Sequence, residues 1–266
     1  EFEGSISVNE FNGLKSLKLA HKLVKNSDPI LKLRAVKDEE ELKHIRKAVR
    51  LADKMMRHAL GLIRPGITES EISRRIRFSS EEFGGEGESF PNIVASGPNS
   101  SRPHHHPTNR RLRAGDPITI DLGAIKDGYC SDLTRTVGLS KVPPEFERIY
   151  EICLEANEAA IAAIRPGKTG EEIDAVPREI IEKAGYGKYF GHGLGHGVGV
   201  EIHEDPRLSP RTEDDRLRAG NVVTIEPGIY IPGKFGVRIE DYVVLRKGGA
   251  EVLSKSPKKL RVLKTK

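Results

Sequence analysis

Between residues 38 and 63 the apolar positions Leu42, Ile45, Val49, Ala52, Met56, Ala59 and Ile63 recur at steps of three and four, the stripe of an amphipathic helix. Arg64-Pro65-Gly66 ends it. Thr68-Glu69-Ser70-Glu71 is a capping box, in which the threonine oxygen takes one orphan amide and the second glutamate another, so a second helix opens there and runs to about Phe83. After a cluster of glycines the period shortens. Residues 90–96 read as a strand, 97–109 as a polar loop, and 117–124 and 129–137 as strands joined in a hairpin through Lys126-Asp127-Gly128.

The same order then returns. Ile63-Arg64-Pro65-Gly66-Ile67-Thr68 reappears as Ile164-Arg165-Pro166-Gly167-Lys168-Thr169, and Arg111-Leu112-Arg113-Ala114-Gly115-Asp116 as Arg216-Leu217-Arg218-Ala219-Gly220-Asn221, at offsets of 101 and 105. His104-His105-His106-Pro107 corresponds more weakly to His203-Glu204-Asp205-Pro206. These repeats predict an α+β domain of two similar halves, about 35–142 and 143–254, each placing two helices before a strand and hairpin, with the helices covering a mostly antiparallel sheet. Residues 1–34 fit neither half and read as a linker or the remnant of an N-terminal domain.

Composition narrows the class. A chain of 266 residues with 36% hydrophobic positions can fill a sizeable core without a disulfide framework. Basic residues exceed acidic ones by only 44 to 39 and are scattered, so a dedicated nucleic-acid binder is not expected. There is neither a long apolar run nor a signal-peptide pattern, so no membrane partner is expected. Cys130 and Cys153 both stand in apolar surroundings as buried thiols do, which points to a reducing, cytoplasmic setting.

The chemistry lies in the repeated hairpins. Which residues oppose one another in an antiparallel hairpin is set by the centre of its turn. A turn centred between Lys126 and Asp127 puts Asp121 opposite Asp132, and one centred on Gly233 puts Glu226 opposite Glu240. All four acids stand among Ile, Thr, Val, Leu and Gly. Opposed carboxylates in an apolar sheet repel one another and lose hydration, so something positive must lie between them: protons, arginines such as Arg135 and Arg238, or metal ions. The acids outnumber those bases, and divalent metal is the preferred reading. Solvated acids at strand edges describe Asp127 or Asp241 better.

Histidine should complete the set. The stretch from Gly191 to Gly199 offers His192 and His196 among glycines that let backbone approach a site closely. Taken alone, either is equally well explained as a satisfied structural residue; four acids that need a cation favour His196 as a ligand. One imidazole with four carboxylates suits Mn²⁺, Fe²⁺, Co²⁺ or Zn²⁺, and is too negative for a single ion. Two ions sharing bridging carboxylates would balance it, with hydrolysis as the default chemistry.

These residues resemble the pita-bread metallopeptidases, the superfamily of methionine aminopeptidases, Xaa-Pro aminopeptidases, Xaa-Pro dipeptidases (prolidases) and creatinase. The resemblance runs from about Arg34 to Leu253 and is carried by Ile120-Asp121-Leu122-Gly123, Ser131-Asp132-Leu133-Thr134-Arg135-Thr136, Gly193-Leu194-Gly195-His196-Gly197, Ile202-His203-Glu204, Ile225-Glu226-Pro227-Gly228 and Arg238-Ile239-Glu240-Asp241. The Asp132, His203 and Arg238 motifs look like the proline-peptidase branch. The resemblance implies a pita-bread catalytic domain over residues 35–266, probed by peptide substrates and paired as a homodimer. It implies that Asp121 chelates one metal, that His196 and Glu226 bind the other, and that Asp132 and Glu240 bridge them. A metal-bridging hydroxide would attack the Xaa-Pro bond, with Glu226 as general base. His104 would contact the peptide near the scissile bond, and His203 would stabilise the oxyanion or shuttle a proton. His192 and Arg207 would contact substrate, Arg207 through a C-terminal carboxylate. Arg238 and Thr134 would support the acids from behind. His105 and His106 are assigned to the polar loop without a chemical role.

Two other readings stand beside this one. The first is a methionine-type or broad-specificity aminopeptidase on the same fold. The second is a non-enzymatic member that binds RNA or protein through the tail at residues 255–266, which carries six Lys or Arg residues.

Overall fold

In the computed structural model, Asp38 and Glu41 close a reciprocal capping box that opens α3 (Glu39–Leu62), and Thr68 and Glu71 close another that opens α4 (Glu69–Glu82). The structure describes residues 2–3, 6–18, 23, 25–26, 29–211 and 216–264. Ahead of α3 lie β1 (Phe2–Glu3), α1 (Val8–Ser16), β2 (Lys25–Asn26) and α2 (Pro29–Arg34). Within 1–34, residues 1, 4–5, 19–22, 24 and 27–28 lie outside the described set, as do the last two residues of the basic tail. The predicted stripe of α3 is buried at Leu42, Ile45, Val49, Ala52, Met56 and Ala59, while Ile63 caps the helix half-buried.

The first half continues with β3 (Ile93–Ser96), β4 (Pro117–Leu122), β5 (Ile125–Lys126), β6 (Tyr129–Cys130) and β7 (Leu133–Leu139). The second repeats the plan with α5 (Pro144–Ala163) and α6 (Gly170–Lys183), followed by β8 (Gly195–Gly197), β9 (Glu204–Leu208), β10 (Val222–Ile225), β11 (Gly228–Ile231), β12 (Phe235–Arg238), β13 (Asp241–Arg246) and β14 (Gly249–Val252); β15 (Val262–Leu263) closes the described chain. Sheets of order β15-β7-β4-β3 and β14-β13-β10-β8-β9 are antiparallel except where β15 joins β7. The repeated sequence motifs make repeated contacts. Thr68 bridges Arg111 as Thr169 bridges Arg216, and the Gly66 amide donates to Leu112 as the Gly167 amide donates to Leu217. Likewise the Gly115 and Gly220 amides donate to Leu139 and Leu245.

One register differs from expectation. Asp121 faces Thr134, and the β5–β6 ribbon pairs Lys126 with Tyr129, so the turn is centred between Asp127 and Gly128. Both of those residues take positive φ, 53° and 75°, the requirement of a tight I′ hairpin that Asp-Gly meets at low cost. The shift leaves Asp132 diagonal to Asp121 on the same face, in the gap between β6 and β7. In the second hairpin the register is as expected: Ile225 pairs with Asp241 and Gly228 with Arg238, which leaves Glu226 and Glu240 facing each other across an interruption of the strands.

The two halves meet at these interruptions. The Glu240 amide donates to the Thr134 carbonyl (3.2 Å), and the Thr136 hydroxyl exchanges hydrogen bonds with the Arg238 backbone (2.9 and 3.1 Å). Helix α3 reaches over both halves: Met55 and Met56 join the core around Ile118 and Ile120, whereas Leu42, Ile45 and Val49 pack with Val222, Tyr242 and Val244. Cys130 and Cys153 are buried free thiols. Among the described residues no helix is long and apolar enough to cross a membrane.

Strand β8 is squeezed between β9 and β10, which explains its glycines. A Cβ on Gly195 would lie 2.1 Å from the Thr224 carbonyl oxygen, and one on Gly197 would lie 2.2 Å from that of Asp205. Gly195→Ala should therefore push β8 off β10 and lower stability by about 1–3 kcal/mol, read as a drop of several degrees in the thermal midpoint. An unchanged midpoint would contradict this packing.

Candidate metal centre and cavity

A cavity of about 460 Å³ opens on the seam between the halves and gathers His104, Asp121, Asp132, His192, His196, His203, Arg207, Glu226 and Arg238 on its walls. Of the residues given a catalytic, substrate, metal or supporting role in the sequence, Glu240 and Thr134 are the two that lie behind that surface, fully buried. Apolar wall is supplied by Phe90, Ile93 and Ile202.

Asp121, Asp132 and Glu240 each place a carboxylate oxygen within 4.8 Å of the others. His196 Nε2 lies 3.6 Å from Asp132 Oδ2 and 3.4 Å from Glu226 Oε1, so Asp132 belongs to both groups. The surroundings satisfy one side of this set. Arg238 Nη2 donates to Asp121 Oδ2 (2.5 Å), and Arg238 Nε donates to the Thr134 hydroxyl (3.1 Å), which donates to Glu240 Oε2 (2.7 Å). The other side is left open: Asp121 Oδ1 and Glu240 Oε1 are buried without a hydrogen-bond partner.

The electrostatics follow from that geometry. Burial, then the charges of Glu240, Asp121 and Glu226, pushes the Asp132 carboxyl well above the usual carboxylate range. Burial, then Glu226 and Asp121, does the same to Glu240. Glu226 is raised by burial to about 7 despite the opposing Arg238 guanidinium. Burial lowers His196 to about 3, so the ring is neutral at ordinary pH. Its Nδ1 lies 3.0 Å from the Gly197 carbonyl, an acceptor only, and must carry the proton. The Nε2 lone pair therefore points at carboxyl oxygens, an arrangement that is repulsive unless a proton or a metal cation lies between them. Orphaned oxygens, an unshared imidazole lone pair and excess carboxylate together fit a divalent metal.

His192 is held differently. Its Nδ1 donates to the Gly193 carbonyl (2.8 Å), and its Nε2 accepts from the Tyr230 hydroxyl (3.0 Å), which in turn accepts from Arg238 Nη1 (3.0 Å). Burial, then Arg238, lowers it to about 4. The ring thus presents a wall to the cavity, with both nitrogens already engaged. His104, His203 and Arg207 are exposed, with the His203 ring 4.3 Å from that of His196. The Arg207 guanidinium contributes positive charge that lowers His196, His203 and Glu226, in each case after larger causes.

Two expectations change. Asp241 is not a solvated edge acid: it is buried and binds Arg135 (2.9 Å), Lys258 (2.9 Å) and the Ser254 hydroxyl (2.8 Å), a network facing away from the cavity. Arg135 is thereby spent on Asp241 and on the Ser256 and Pro257 carbonyls, leaving Arg238 as the base beside the acids. His105 is likewise not a plain loop residue; it is buried, with Nε2 3.0 Å from Glu69 Oε2. Sequence reading missed Glu69 and Tyr230. Glu69 was the harder to see, because an acid in the first turn of a helix is ordinary.

Comparison with known proteins agrees with the geometry. Residues 43–247 match metallopeptidase family M24. The Xaa-Pro dipeptidase of Pyrococcus furiosus is 42% identical over 258 residues, 97% of this chain and 74% of that one. The solved Xaa-Pro dipeptidase from Bacillus anthracis superposes with a TM-score of 0.92 at 42% identity, covering 97% of this chain and 72% of that one. An X-Pro aminopeptidase from Thermotoga maritima gives 0.88 at 39% identity, covering 97% and 73%. The chain belongs to metallopeptidase family M24 and has the pita-bread fold.

The metal-free protein should show a specific pH response. Groups whose folded pKa is raised stabilise the fold below their unfolded value and lose that contribution as pH rises through the folded one. The buried histidines act oppositely, and their gain tails off within about one pH unit above their ordinary 6.5. That remaining gain offsets the loss as Glu226 gives up its proton near 7, and the net fall comes from Asp132 and Glu240, which are held well above the usual carboxylate range. The thermal midpoint of chelator-treated protein should fall from about pH 6.5 to about pH 8, and added Mn²⁺ should remove the fall. A flat profile without metal would contradict the strain assigned to the acids.

Proposed function

We propose that the chain hydrolyses Xaa-Pro peptides, dipeptides foremost, as a two-metal enzyme. The observation that carries this reading is the shared position of Asp132 between the Asp121/Glu240 group and the His196/Glu226 group, with unpartnered oxygens on Asp121 and Glu240. Asp121, Asp132 and Glu240 would hold one cation, and His196 and Glu226 the second, with Asp132 and Glu240 shared. Four carboxylates, one of them paired with Arg238, carry too much charge for a single divalent ion and suit two. Mn²⁺, Co²⁺, Fe²⁺ or Zn²⁺ bound there would supply an activated water and polarise the scissile carbonyl.

The chain's own groups have separate tasks. Glu226, whose Oε1 also accepts from the Thr224 hydroxyl (3.0 Å), would take the proton released as water is consumed and return it to the leaving amine. His104 and His203 would donate to the peptide oxygen as charge develops on it. Arg207, exposed on the cavity wall, would hold the C-terminal carboxylate of a dipeptide, the feature that favours dipeptides over longer substrates. Phe90, Ile93 and Ile202 give apolar surface for a side chain or a prolyl ring. The relatives named Xaa-Pro dipeptidase support this choice, and the family match over residues 43–247 supports taking 35–266 as the catalytic unit.

Asp132→Asn should abolish turnover while leaving the fold largely intact, because it removes charge at the shared position without changing size; activity like the parent's would count against the site. With Mn²⁺ or Co²⁺ added, a panel of Xaa-Pro, Xaa-Pro-Xaa and Met-Ala peptides should show fastest cleavage of Xaa-Pro. Faster cleavage of Xaa-Pro-Xaa would make the enzyme an aminopeptidase, and preference for Met-Ala would overturn the proline reading. Arg207→Ala should raise KM for dipeptides by about tenfold or more and leave tripeptides nearly unaffected, as expected for loss of one charged hydrogen-bonding partner.

A further inference from the structure

Each exposed histidine in the cavity is followed by a residue turned inward. His104 and His203 line the cavity, whereas His105 and Glu204 are buried. In the first half His105 meets Glu69, the first residue of α4. The same carboxylate accepts from the Ser96 amide and hydroxyl (2.8 and 2.6 Å), the Thr108 amide and hydroxyl (3.0 and 2.7 Å) and Asn99 Nδ2 (3.0 Å). One buried side chain thus fixes both ends of the segment that carries His104. In the second half Glu204 accepts from Lys37 Nζ (2.8 Å), Arg34 Nη2 (2.5 Å) and the Glu201 amide (3.0 Å), closing the turn that carries Ile202 and His203.

The anchors come from different places. The position matching Glu69 in the second half is Gly170, which has no side chain to offer. Its task falls to Lys37, ahead of α3, whose backbone is tied down independently: the Lys37 amide donates to Gly220 (2.9 Å), and Asn221 Nδ2 donates to Ala35 (2.7 Å). A glutamate from within its own half in one case and a lysine from outside it in the other give the same result, a buried hydrogen-bonded pair beneath a cavity histidine.

We infer that Glu69–His105 and Lys37–Glu204 are positioning pairs that set His104 and His203 over the scissile bond. The inference rests on the reading above in which those histidines contact the peptide. An exposed imidazole on a loop samples many positions, and a displacement of about 1 Å can cost about a hundredfold in rate. Burying the adjacent residue and bonding it to a fixed partner removes most of that freedom.

The test is a pair of double-variant cycles on the metal-loaded full chain, following kcat, KM, metal content and thermal midpoint with an Xaa-Pro dipeptide. Glu204→Gln and Glu69→Gln keep size but turn an amide NH₂ toward donors. Each should lower kcat about tenfold or more with KM changed less than about threefold and metal content unchanged. In the His203→Ala and His104→Ala backgrounds, respectively, the same substitutions should cost less than about twofold, because the group they position is gone. Equal losses in both backgrounds would overturn the inference and leave the histidine reading standing. Histidine variants as fast as the parent would overturn both. If a glutamine variant fails to fold, Lys37→Met and His105→Asn run the same cycles, and Lys37→Arg should recover most of the rate by restoring the charge.

Discussion

Negative charge held where water cannot reach it is the constraint on which the rest of this molecule depends. Asp121, Asp132 and Glu240 are almost fully buried and converge on one another, with Glu226 close by across the His196 ring. An uncompensated buried ion costs several kcal/mol, comparable to the whole stability of many domains. Arg238 offsets one carboxylate directly and reaches a second through Thr134. The remainder is left to be neutralised by protons or by metal. Protonation would blunt these oxygens as donors, whereas a bound cation would neutralise the charge and keep the arrangement that the fold builds.

That arrangement exists only because the two halves dock. The first half contributes Asp121 and Asp132, the second His196, Glu226 and Glu240, and the guanidinium that steadies Asp121 comes from Arg238 of the second. The seam is stitched by backbone at the same place, where Glu240 donates to Thr134 and Thr136 exchanges bonds with Arg238. Asp132, Glu226 and Glu240 all sit where strands break. A residue inside a regular ladder is fixed to one face and one opposed neighbour, whereas one in a gap can serve groups on both sides, as Asp132 does.

Periodicity and turn chemistry carried much of this in the primary structure. The α3 stripe, the Thr68–Glu71 capping box and the repeated motifs are local signals, and each formed where local rules place it. The hairpin register was legible only to within a turn type: the Asp-Gly pair demanded two positive φ angles, and centring the turn one residue earlier displaced every opposed pair. Tertiary partners were not legible. Asp241 gives no local sign that Arg135 and Lys258 will close on it, and Glu69 resembles any acid in a first helical turn until Ser96, Asn99, His105 and Thr108 are folded around it.

His192 and His196 show where that boundary falls. Both precede glycine, and in both Nδ1 donates to the carbonyl of the next residue, which fixes the tautomer and leaves Nε2 as the acceptor. The local chemistry is the same, and so is the sequence signal. Across from His192 stands the Tyr230 hydroxyl, a donor made available because Arg238 supplies its acceptor need, and the ring is satisfied without any ion. Across from His196 stand two carboxyl groups, which can donate only while they keep a proton. Whether an imidazole is satisfied within the protein or left facing acids is thus decided by the group that the fold brings opposite it. Arg238 has a part in both outcomes: it supports Tyr230 against His192 and neutralises only one of the acids, so that His196 still faces the others.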